Sequence, residues 1–259
     1  MERTLKLLFL VFCVVATKAM ALDIVDRRAP GNFAQPMRTS TMAIVLHTTE
    51  GADSSSLATV RNDASCNYLI LTNGTVVLIV DDERKADHAG MSMWNGVDSL
   101  NTHTLGIEVV GYHDKEPTWA QKKSLKELLP LMQAKYDVPD CLVLTHSMIA
   151  YDVPNKGYPD NHRGRKSCAM LFAEPALREK IGLDSGPCED PDVKAGRLHK
   201  GDPKLFKRLY GKSGVYQANI VTPWRSPWKI IGEYYTTTRA IYIYPDGSRR
   251  RGSEIKDWT

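Results

Sequence analysis

Two short apolar segments, far apart in the chain, both end in a histidine that is followed by a hydroxyl residue. The first is MAIVLHTT, residues 42–49, and the second begins LVLTHS, residues 142–147. Short and almost wholly apolar runs are typical of strands that are buried on both faces of a sheet. Two neighbouring strands of this kind would bring His47 and His146 to the same edge of the sheet. The sequence therefore predicts a sheet edge that carries both imidazoles.

Further strands are predicted between these two segments. Tyr68–Leu71 and Thr75–Val80 are strand-like runs that are joined by Thr72-Asn73-Gly74. Asn-Gly between β-forming residues is the strongest short-range signal for a β-hairpin. Leu105–Gly111, with the sequence LGIEVVG, is another short apolar strand that contains one carboxylate.

Helical patterns alternate with the strands. Thr118 and Gln121 have the spacing of a capping box, and the residues after them keep apolar side chains on one helical face. Those apolar residues are Leu125, Leu128, Leu129, Met132 and Tyr136. Met170–Ile181 is predicted to form one further helix, ended by Gly182. The alternation of strands and helices favours an α/β domain over about residues 40–185.

The N-terminus has the pattern of a secretory signal peptide. Two basic residues precede an apolar run over residues 7–16, and Ala19-Met20-Ala21 places small residues where a signal peptidase recognises them. The run is too short to cross a bilayer as a helix, and no later segment is long and apolar enough to do so. We therefore expect residues 1–21 to be removed, a mature chain that begins near Leu22, and a secreted or periplasmic protein.

The last part of the chain, residues 186–259, differs in composition from the part before it. Residues 190–259 contain 14 Lys and Arg against 7 Asp and Glu, a net +7, so the preceding part carries −3 of the total of +4. Stretches such as VYQANIVTPW and AIYIYPDG predict a few antiparallel strands, and Asp202–Tyr210 is a candidate helix. We therefore expect a small β-rich C-terminal extension, separate from a domain over residues 22–185. Its basic charge suits an anionic partner, although a solvated basic surface would show the same charge.

His47, His146 and Cys168 are candidate ligands of a metal ion. Two imidazoles and one thiolate from separate elements form a donor set that zinc accepts, with a fourth position left for water. A disulfide is the alternative for Cys168. Without its signal peptide the chain retains four cysteines, Cys66, Cys141, Cys168 and Cys188. Four cysteines in an exported chain suggest two disulfides, and at most one remains if Cys168 binds metal.

Lys166 and Glu108 are the charged residues most informative about chemistry. Lys166 lies two positions before Cys168, so in an extended segment both side chains point to the same side. A basic surface run would also explain this lysine. Glu108 is a carboxylate in an otherwise apolar strand, which is costly unless the carboxylate has a partner or a task. A structural salt bridge and a catalytic role explain Glu108 equally well at this point.

The motifs, taken in order, resemble those of the zinc-dependent N-acetylmuramoyl-L-alanine amidases, a family that includes peptidoglycan recognition proteins. The matching segments are MAIVLHTTEG, SCNYLILTNGTVVLIVDDERKADHAG, NTHTLGIEVVGY, PTWAQKKSLKELL and LVLTHSMIA with GRKSC, over about residues 40–180. The resemblance implies a mixed central β-sheet flanked by helices, with a substrate groove above a zinc ion. The implied reaction is hydrolysis of the amide bond between N-acetylmuramic acid and L-alanine, in peptidoglycan or in muropeptides.

The resemblance also implies a role for each candidate residue. The three zinc ligands of the family match His47, His146 and Cys168. Glu108 matches the catalytic acid/base of muropeptide-type members, and Lys166 matches a lysine two positions before the third ligand. His88, in the triplet His-Ala-Gly, matches a substrate-binding position in the groove. A cell-wall polymer then becomes the expected anionic partner of the C-terminal region, and no nucleic acid is expected.

Three features depart from the pattern of the family. Tyr151–His162 looks like an inserted loop, and it contains His162, a rival for the second histidine ligand. Ala169-Met170 follows Cys168 where a proline is common. Cys66 stands where some members use a tyrosine, which leaves Glu108 as the expected acid/base. We prefer His146 to His162 because it repeats the sequence context of His47.

Two other functions fit parts of the pattern. The same fold binds peptidoglycan without cleaving it in members that lack the cysteine ligand, and this chain has Cys168. A disulfide-linked adhesion protein with incidental histidines is the other alternative. A metal measurement separates it from the zinc enzyme.

Overall fold

The computed structural model describes residues 22–210, 232–236, 239–243 and 249–251. The predicted signal peptide, residues 1–21, lies outside the described residues. Among the described helices, none combines the length and the apolar character that crossing a membrane requires.

The strands and helices alternate along the chain. The strands are β1 (Ile24–Asp26), β2 (Ala43–Thr48), β3 (Tyr68–Ile70), β4 (Val76–Leu78), β5 (Met93–Trp94), β6 (Val97–Asp98), β7 (Thr104–Val109), β8 (Val143–Thr145), β9 (Tyr151–Asp152), β10 (His162–Arg163), β11 (Gly232–Thr236), β12 (Arg239–Ile243) and β13 (Arg249–Arg251). The helices are α1 (Asp53–Asp63), α2 (Trp119–Tyr136), α3 (His146–Ile149), α4 (Pro175–Lys180), α5 (Pro191–Lys194) and α6 (Pro203–Tyr210). Short 3₁₀ helices lie at Pro30–Ala34, Leu100–Thr102, Asp140–Leu142 and Met170–Ala173.

Six strands form the central sheet, in the order β1-β4-β3-β7-β2-β8. The pair β3–β4 is antiparallel, and every other neighbouring pair is parallel. The expected α/β fold with a mixed central sheet flanked by helices is therefore confirmed. The predicted hairpin is also present, although β3 and β4 are shorter than predicted and Ile70 pairs with Val76 across a longer connection.

Helices cover both faces of this sheet. Tyr68 and Ile70 of β3 belong to the main core with Leu125 of α2, whereas Leu69 between them packs with Val60 of α1. Successive strand residues point to opposite faces, so the two apolar clusters lie on the two sides of the sheet. This arrangement buries β2 completely from Ala43 to Thr48. Because β2 is an interior strand between β7 and β8, it is a rigid support for the side chains at its C-terminal end.

Helix α2 starts at the predicted capping box. Thr118 Oγ1 accepts a hydrogen bond from the Gln121 backbone N–H at 3.1 Å, and Gln121 Oε1 accepts one from the Thr118 N–H at 2.9 Å. The prediction of one helix over Met170–Ile181 is wrong. A 3₁₀ helix ends at Ala173, Glu174 is extended with ψ of 132°, and α4 begins at Pro175. A proline disfavours helical geometry in the residue before it, so the helix restarts at Pro175.

The first part of the predicted C-terminal region packs against the sheet domain. Cys188, Leu205 and Leu209 belong to the main core. Arg163 donates to Asp190 Oδ2 at 2.7 Å and to Asp192 Oδ2 at 3.0 Å, with all three side chains buried. The division between residues 185 and 186 therefore stays a prediction, and residues up to 210 share contacts with the domain. Further along, β11, β12 and β13 form an antiparallel sheet, as the composition predicts.

Candidate metal centre and active site

His47 lies near the C-terminal end of β2, inside the strand rather than after it. Strand β2 pairs in parallel with β7, and His47 is opposite Glu108 in that pairing. On its other side β2 pairs with β8, where Leu46 is opposite Thr145. His146 follows Thr145 directly and begins α3. Parallel pairing therefore brings both histidines to one sheet edge, as the sequence predicts.

The two imidazoles face each other at this edge. His47 Nδ1 and His146 Nδ1 are 3.0 Å apart, and both side chains are buried. Tetrahedral coordination with Zn–N distances of 2.0–2.1 Å separates two ligand nitrogens by about 3.3 Å. The spacing of the two Nδ1 atoms therefore fits a shared metal ion.

Cys168 completes the group. The ligand atoms of His47, His146 and Cys168 all lie within 4.8 Å of one another. The backbone N–H of Ser147 donates to the carbonyl of Cys168 at 3.1 Å, and the N–H of Thr48 donates to Cys168 Sγ at 3.4 Å. These bonds hold the cysteine against both histidine-bearing segments. The three residues form a candidate metal site.

The ionisation of these groups suits a metal site. Burial lowers the pKa of His47 well below its usual value and lowers the pKa of His146 to about 3, so both rings are neutral, as ligands must be. Burial also raises the pKa of the Cys168 thiol to about 12. A thiol in such a place needs a cation to lose its proton, and a metal ion held by these three residues would supply that cation.

Glu108 lies beside the three candidate ligands. Its Oε1 is 3.8 Å from His47 Nδ1, and the side chain is 14% exposed. Its Oε2 is buried without a hydrogen-bond partner. Burial, and after it the negative charge of Glu50, raise the pKa of Glu108 to about 8, while the positive charge of Lys166 acts in the opposite direction. A structural salt bridge does not account for this carboxylate, because its ion-pair partner among the described residues would be His47, whose ring is neutral.

Lys166 is half-buried near the same edge. Its positive charge contributes to the lowered pKa of His47 and of His146, and it also favours the ionised form of Glu108. The lysine therefore acts electrostatically on the candidate site, and its role there stays a prediction.

Neither His88 nor His162 belongs to the candidate metal group of His47, His146 and Cys168. His88 is buried behind His47, with its Nδ1 3.0 Å from His47 Nε2 and its Nε2 3.3 Å from the carbonyl of Thr104. At 6% exposure this side chain is buried against His47, and its contact with substrate stays a prediction. His162 is buried against Tyr158, with ring centroids 4.3 Å apart. The preference for His146 over His162 agrees with this geometry.

Thr48 is a site residue that the sequence analysis missed. Besides its N–H bond to Cys168, its Oγ1 accepts a hydrogen bond from the backbone N–H of Ala169 at 3.0 Å and donates to Glu50 Oε1 at 2.8 Å. The signal was available, because each histidine-bearing segment places a hydroxyl residue directly after the histidine. The function of the Thr48 hydroxyl depends on the segment around Cys168 and Ala169, which is distant in sequence and packs against it.

The fold and the site together define an α/β protein with a candidate metal site of two histidines and one cysteine at the edge of a mixed sheet. The chain belongs to the N-acetylmuramoyl-L-alanine amidase family, because the model of that family matches residues 37–169, about half of the chain. The matched range contains every one of the candidate site residues.

Two bacterial proteins described as 1,6-anhydro-N-acetylmuramyl-L-alanine amidase AmpD are similar to part of the chain. The protein from Haemophilus influenzae is 35% identical over 72 residues, which make up 28% of this chain and 39% of the relative. The protein from Enterobacter cloacae is 33% identical over 86 residues, 33% of this chain and 46% of the relative. The chain thus spans less than half the length of these two relatives.

Two solved amidase structures are similar to the chain over a longer range. AmiD from E. coli, in complex with the substrate anhydro-N-acetylmuramic acid-L-Ala-D-gamma-Glu-L-Lys, is 26% identical with a TM-score of 0.40, and the match covers 48% of this chain and 52% of that chain. AmpDh3 from Pseudomonas aeruginosa, in complex with anhydromuramic pentapeptide, is 23% identical with a TM-score of 0.47, covering 67% and 82%. At these TM-scores the likeness does not bear on the activity of this chain.

Proposed function

We propose that this protein is a zinc-dependent hydrolase that cleaves the amide bond between the lactyl group of N-acetylmuramic acid and L-alanine. The observation that carries the proposal is the convergence of His47, His146 and Cys168 with an unpaired carboxylate, that of Glu108, in a chain of this family. The AmpD relatives are described by cleavage at the same type of bond. Peptidoglycan or muropeptides are the proposed substrates.

Zinc is the metal that this donor set fits best. Two neutral imidazoles and one thiolate leave one tetrahedral position open, which is the arrangement of catalytic zinc sites. Softer ligands such as thiolate disfavour magnesium and calcium, which prefer oxygen. When bound to these residues, zinc supplies Lewis-acid activation of a water molecule and of the amide carbonyl.

Glu108 is the proposed acid/base of the reaction. Its carboxylate can accept the proton of the attacking water and later donate that proton to the nitrogen of the leaving L-alanine. A raised pKa suits this task, because the group must both take up and release a proton near neutral pH. Lys166 is proposed to stabilise the negative charge that develops on the carbonyl oxygen.

A digest with product analysis tests this proposal. Purified protein loaded with zinc should release a peptide that begins with a free L-alanine amine from N-acetylmuramoyl peptides, as mass spectrometry would detect. The same protein treated with a chelator is the control and should release none. Binding of the muropeptide without cleavage by the zinc-loaded protein would instead support the non-catalytic recognition function.

We further propose that the protein acts outside the cytoplasm. The basic residues, apolar run and small residues at the N-terminus support cleavage of a signal peptide before Leu22. N-terminal sequencing of protein collected outside the cytoplasm should find a chain that begins near Leu22. Recovery of the exported protein with Met1 intact would exclude this cleavage.

The residues after Tyr210 are proposed to increase affinity for the anionic cell wall. Residues 211–259 contain 8 Lys and Arg against 4 Asp and Glu. A chain that ends at Tyr210 keeps the packed residues of the domain, so it should bind zinc as the full chain does. Its binding to insoluble peptidoglycan should be weaker, with the largest difference at low salt, where charge attraction is least screened.

A pull-down on insoluble peptidoglycan across a range of salt concentrations measures this effect. A second variant keeps the full length but replaces Arg249, Arg250 and Arg251 by glutamine. It should lose part of the binding to peptidoglycan at low salt. Equal binding of the truncated and full-length proteins at every salt concentration would contradict a wall-binding role.

A further inference from the structure

The direction of each hydrogen bond behind His47 follows from one hydroxyl group. Thr104 Oγ1 donates to the carbonyl oxygen of Leu100 at 2.7 Å, so its proton is committed there. The same Oγ1 and the Thr104 carbonyl lie 3.2 and 3.3 Å from His88 Nε2 and can only accept. His88 Nε2 must therefore carry the ring proton.

This assignment fixes the proton of His47 as well. A neutral imidazole has one N–H, so His88 Nδ1 is bare and accepts a hydrogen bond. It lies 3.0 Å from His47 Nε2, which must then be protonated. The remaining nitrogen, His47 Nδ1, is left bare and faces His146 and Cys168. A buried, neutral His88 is consistent with this chain of bonds, since burial lowers the pKa of His88 to about 4.

We propose that His88 is a positioning residue, which holds His47 in the tautomer that presents Nδ1 to the metal. This inference rests on the proposed function for the identity of the metal, but the tautomer itself does not. Ligand histidines almost always donate their second N–H to a fixed acceptor, and loss of that acceptor typically costs 10–100-fold in metal affinity. Here the acceptor is another imidazole, which is itself oriented by Thr104.

Gly106 makes room for this arrangement. A Cβ atom on Gly106 would lie 2.5 Å from His88 Cγ, which is closer than real contacts allow. The backbone N–H of Gly106 is held by Asn67 Oδ1 at 3.0 Å, so the strand cannot easily move away. The ring of His88 therefore occupies a space that only a glycine at position 106 leaves free.

Substitutions at His88 test the proposal. His88→Leu removes the acceptor, and zinc affinity measured by competition with a chelating dye should fall about 10–100-fold. His88→Asn restores an acceptor oxygen near the place of Nδ1 and should recover much of the affinity. His162→Leu is the matched control, since it removes a buried histidine outside the metal site and should leave zinc affinity unchanged.

The tautomer of His47 gives a second readout that needs no metal. A ¹H–¹⁵N spectrum of the metal-free protein should show His47 and His88 protonated at Nε2. Either a proton on His47 Nδ1 or parental zinc affinity in His88→Leu would overturn the positioning role. If the protein proved not to be an amidase, the spectrum would still decide the assignment of the protons.

A different part of the molecule brings two cysteines together. The backbone N–H of Cys188 donates to the carbonyl of Cys141 at 2.9 Å, and both buried side chains are free thiols in this structure. Burial and the neighbouring Cys141 side chain raise the pKa of the Cys188 thiol well above its usual value. Arg178 donates to the carbonyls of Asp140 at 2.6 Å and of Ser185 at 2.7 Å, one in each cysteine-bearing segment. The two segments are thus fixed next to each other by bonds that do not involve sulfur.

We infer that Cys141 and Cys188 form a disulfide in the exported protein. The two thiols lose two protons and two electrons as the S–S bond forms, and the electrons reduce the disulfide of a thiol–disulfide oxidant outside the cytoplasm. This pairing leaves Cys168 free to bind metal, and it leaves Cys66 as a buried thiol.

Alkylation of the exported protein under denaturing, non-reducing conditions tests the pairing. Peptide mapping should find Cys66 and Cys168 alkylated and one cross-linked peptide pair that contains Cys141 and Cys188. In Cys141→Ala the partner cysteine should become open to alkylation, whereas Cys66→Ala should keep the cross-link. Alkylation of all four cysteines without a reductant would overturn the inference, whether or not the protein has amidase activity.

Discussion

Replacement of Glu108 by glutamine should lower the rate of amide cleavage by about 10²–10⁴-fold, the usual contribution of a positioned proton-transfer group. The amide of glutamine has nearly the shape of the carboxyl group but cannot exchange a proton. Zinc content should stay at the parental level, because Glu108 is not one of the three candidate ligands. The melting temperature should not fall, because one carboxylate oxygen has no partner to lose.

These readouts separate a catalytic role from a structural one. If Glu108 stabilised the sheet through a buried ion pair, its replacement would leave the partner charge buried and unpaired. The free energy of unfolding would then fall by about 3–5 kcal/mol. Glu116→Gln is the matched control, since this exposed carboxylate pairs with Lys122 and Lys180 at the surface. It should keep parental activity. A Glu108→Gln protein with parental turnover would return the acid/base role to another residue.

Replacement of Cys168 by alanine should remove stoichiometric zinc as well as activity. The protein would keep only two imidazole ligands. Its affinity for zinc should therefore fall by more than the 10–100-fold that is typical when a ligand loses its hydrogen-bond partner. Activity should fall by about 10³-fold or more, since Lewis-acid activation supplies several kcal/mol and each 1.4 kcal/mol is a factor of ten. Zinc content by elemental analysis and turnover on a muropeptide measure both effects.

Cys66→Ala provides the control for this variant. Cys66 is fully buried beside the strand that carries Glu108, but it is not a member of the candidate metal group. Its replacement should leave zinc at one ion per chain, even if the small cavity lowers the melting temperature. Stoichiometric zinc in the Cys168→Ala protein would exclude Cys168 as a ligand.

The sheet edge that carries the candidate ligands could be predicted from local sequence. Parallel strands that are buried on both faces have few alternative pairings, so two matching apolar runs predict that their C-terminal ends meet. The structure extends that result, because the register places His47 opposite Glu108. The break before α4 could also have been predicted, since Pro175 is a local signal.

The position of His88 could not be predicted in the same way. Its triplet suggests a loop near a groove, but its location depends on the space above Gly106 and on acceptors from Thr104, which lie on a different segment. The packing of residues 188–210 has a similar origin, because the pairing of Arg163 with Asp190 joins residues 27 positions apart. Contacts of this kind are set by the tertiary fold and leave little trace in local patterns.

Titration of the metal-free protein with zinc tests the central claim most directly. Aliquots of zinc are added to chelator-treated protein, and amide cleavage of an N-acetylmuramoyl peptide is measured after each addition. If His47, His146 and Cys168 hold the catalytic ion, activity should rise in proportion to added zinc and reach its limit at one zinc per chain. Full activity before any zinc is added, or no cleavage when one zinc is bound per chain, would contradict the account.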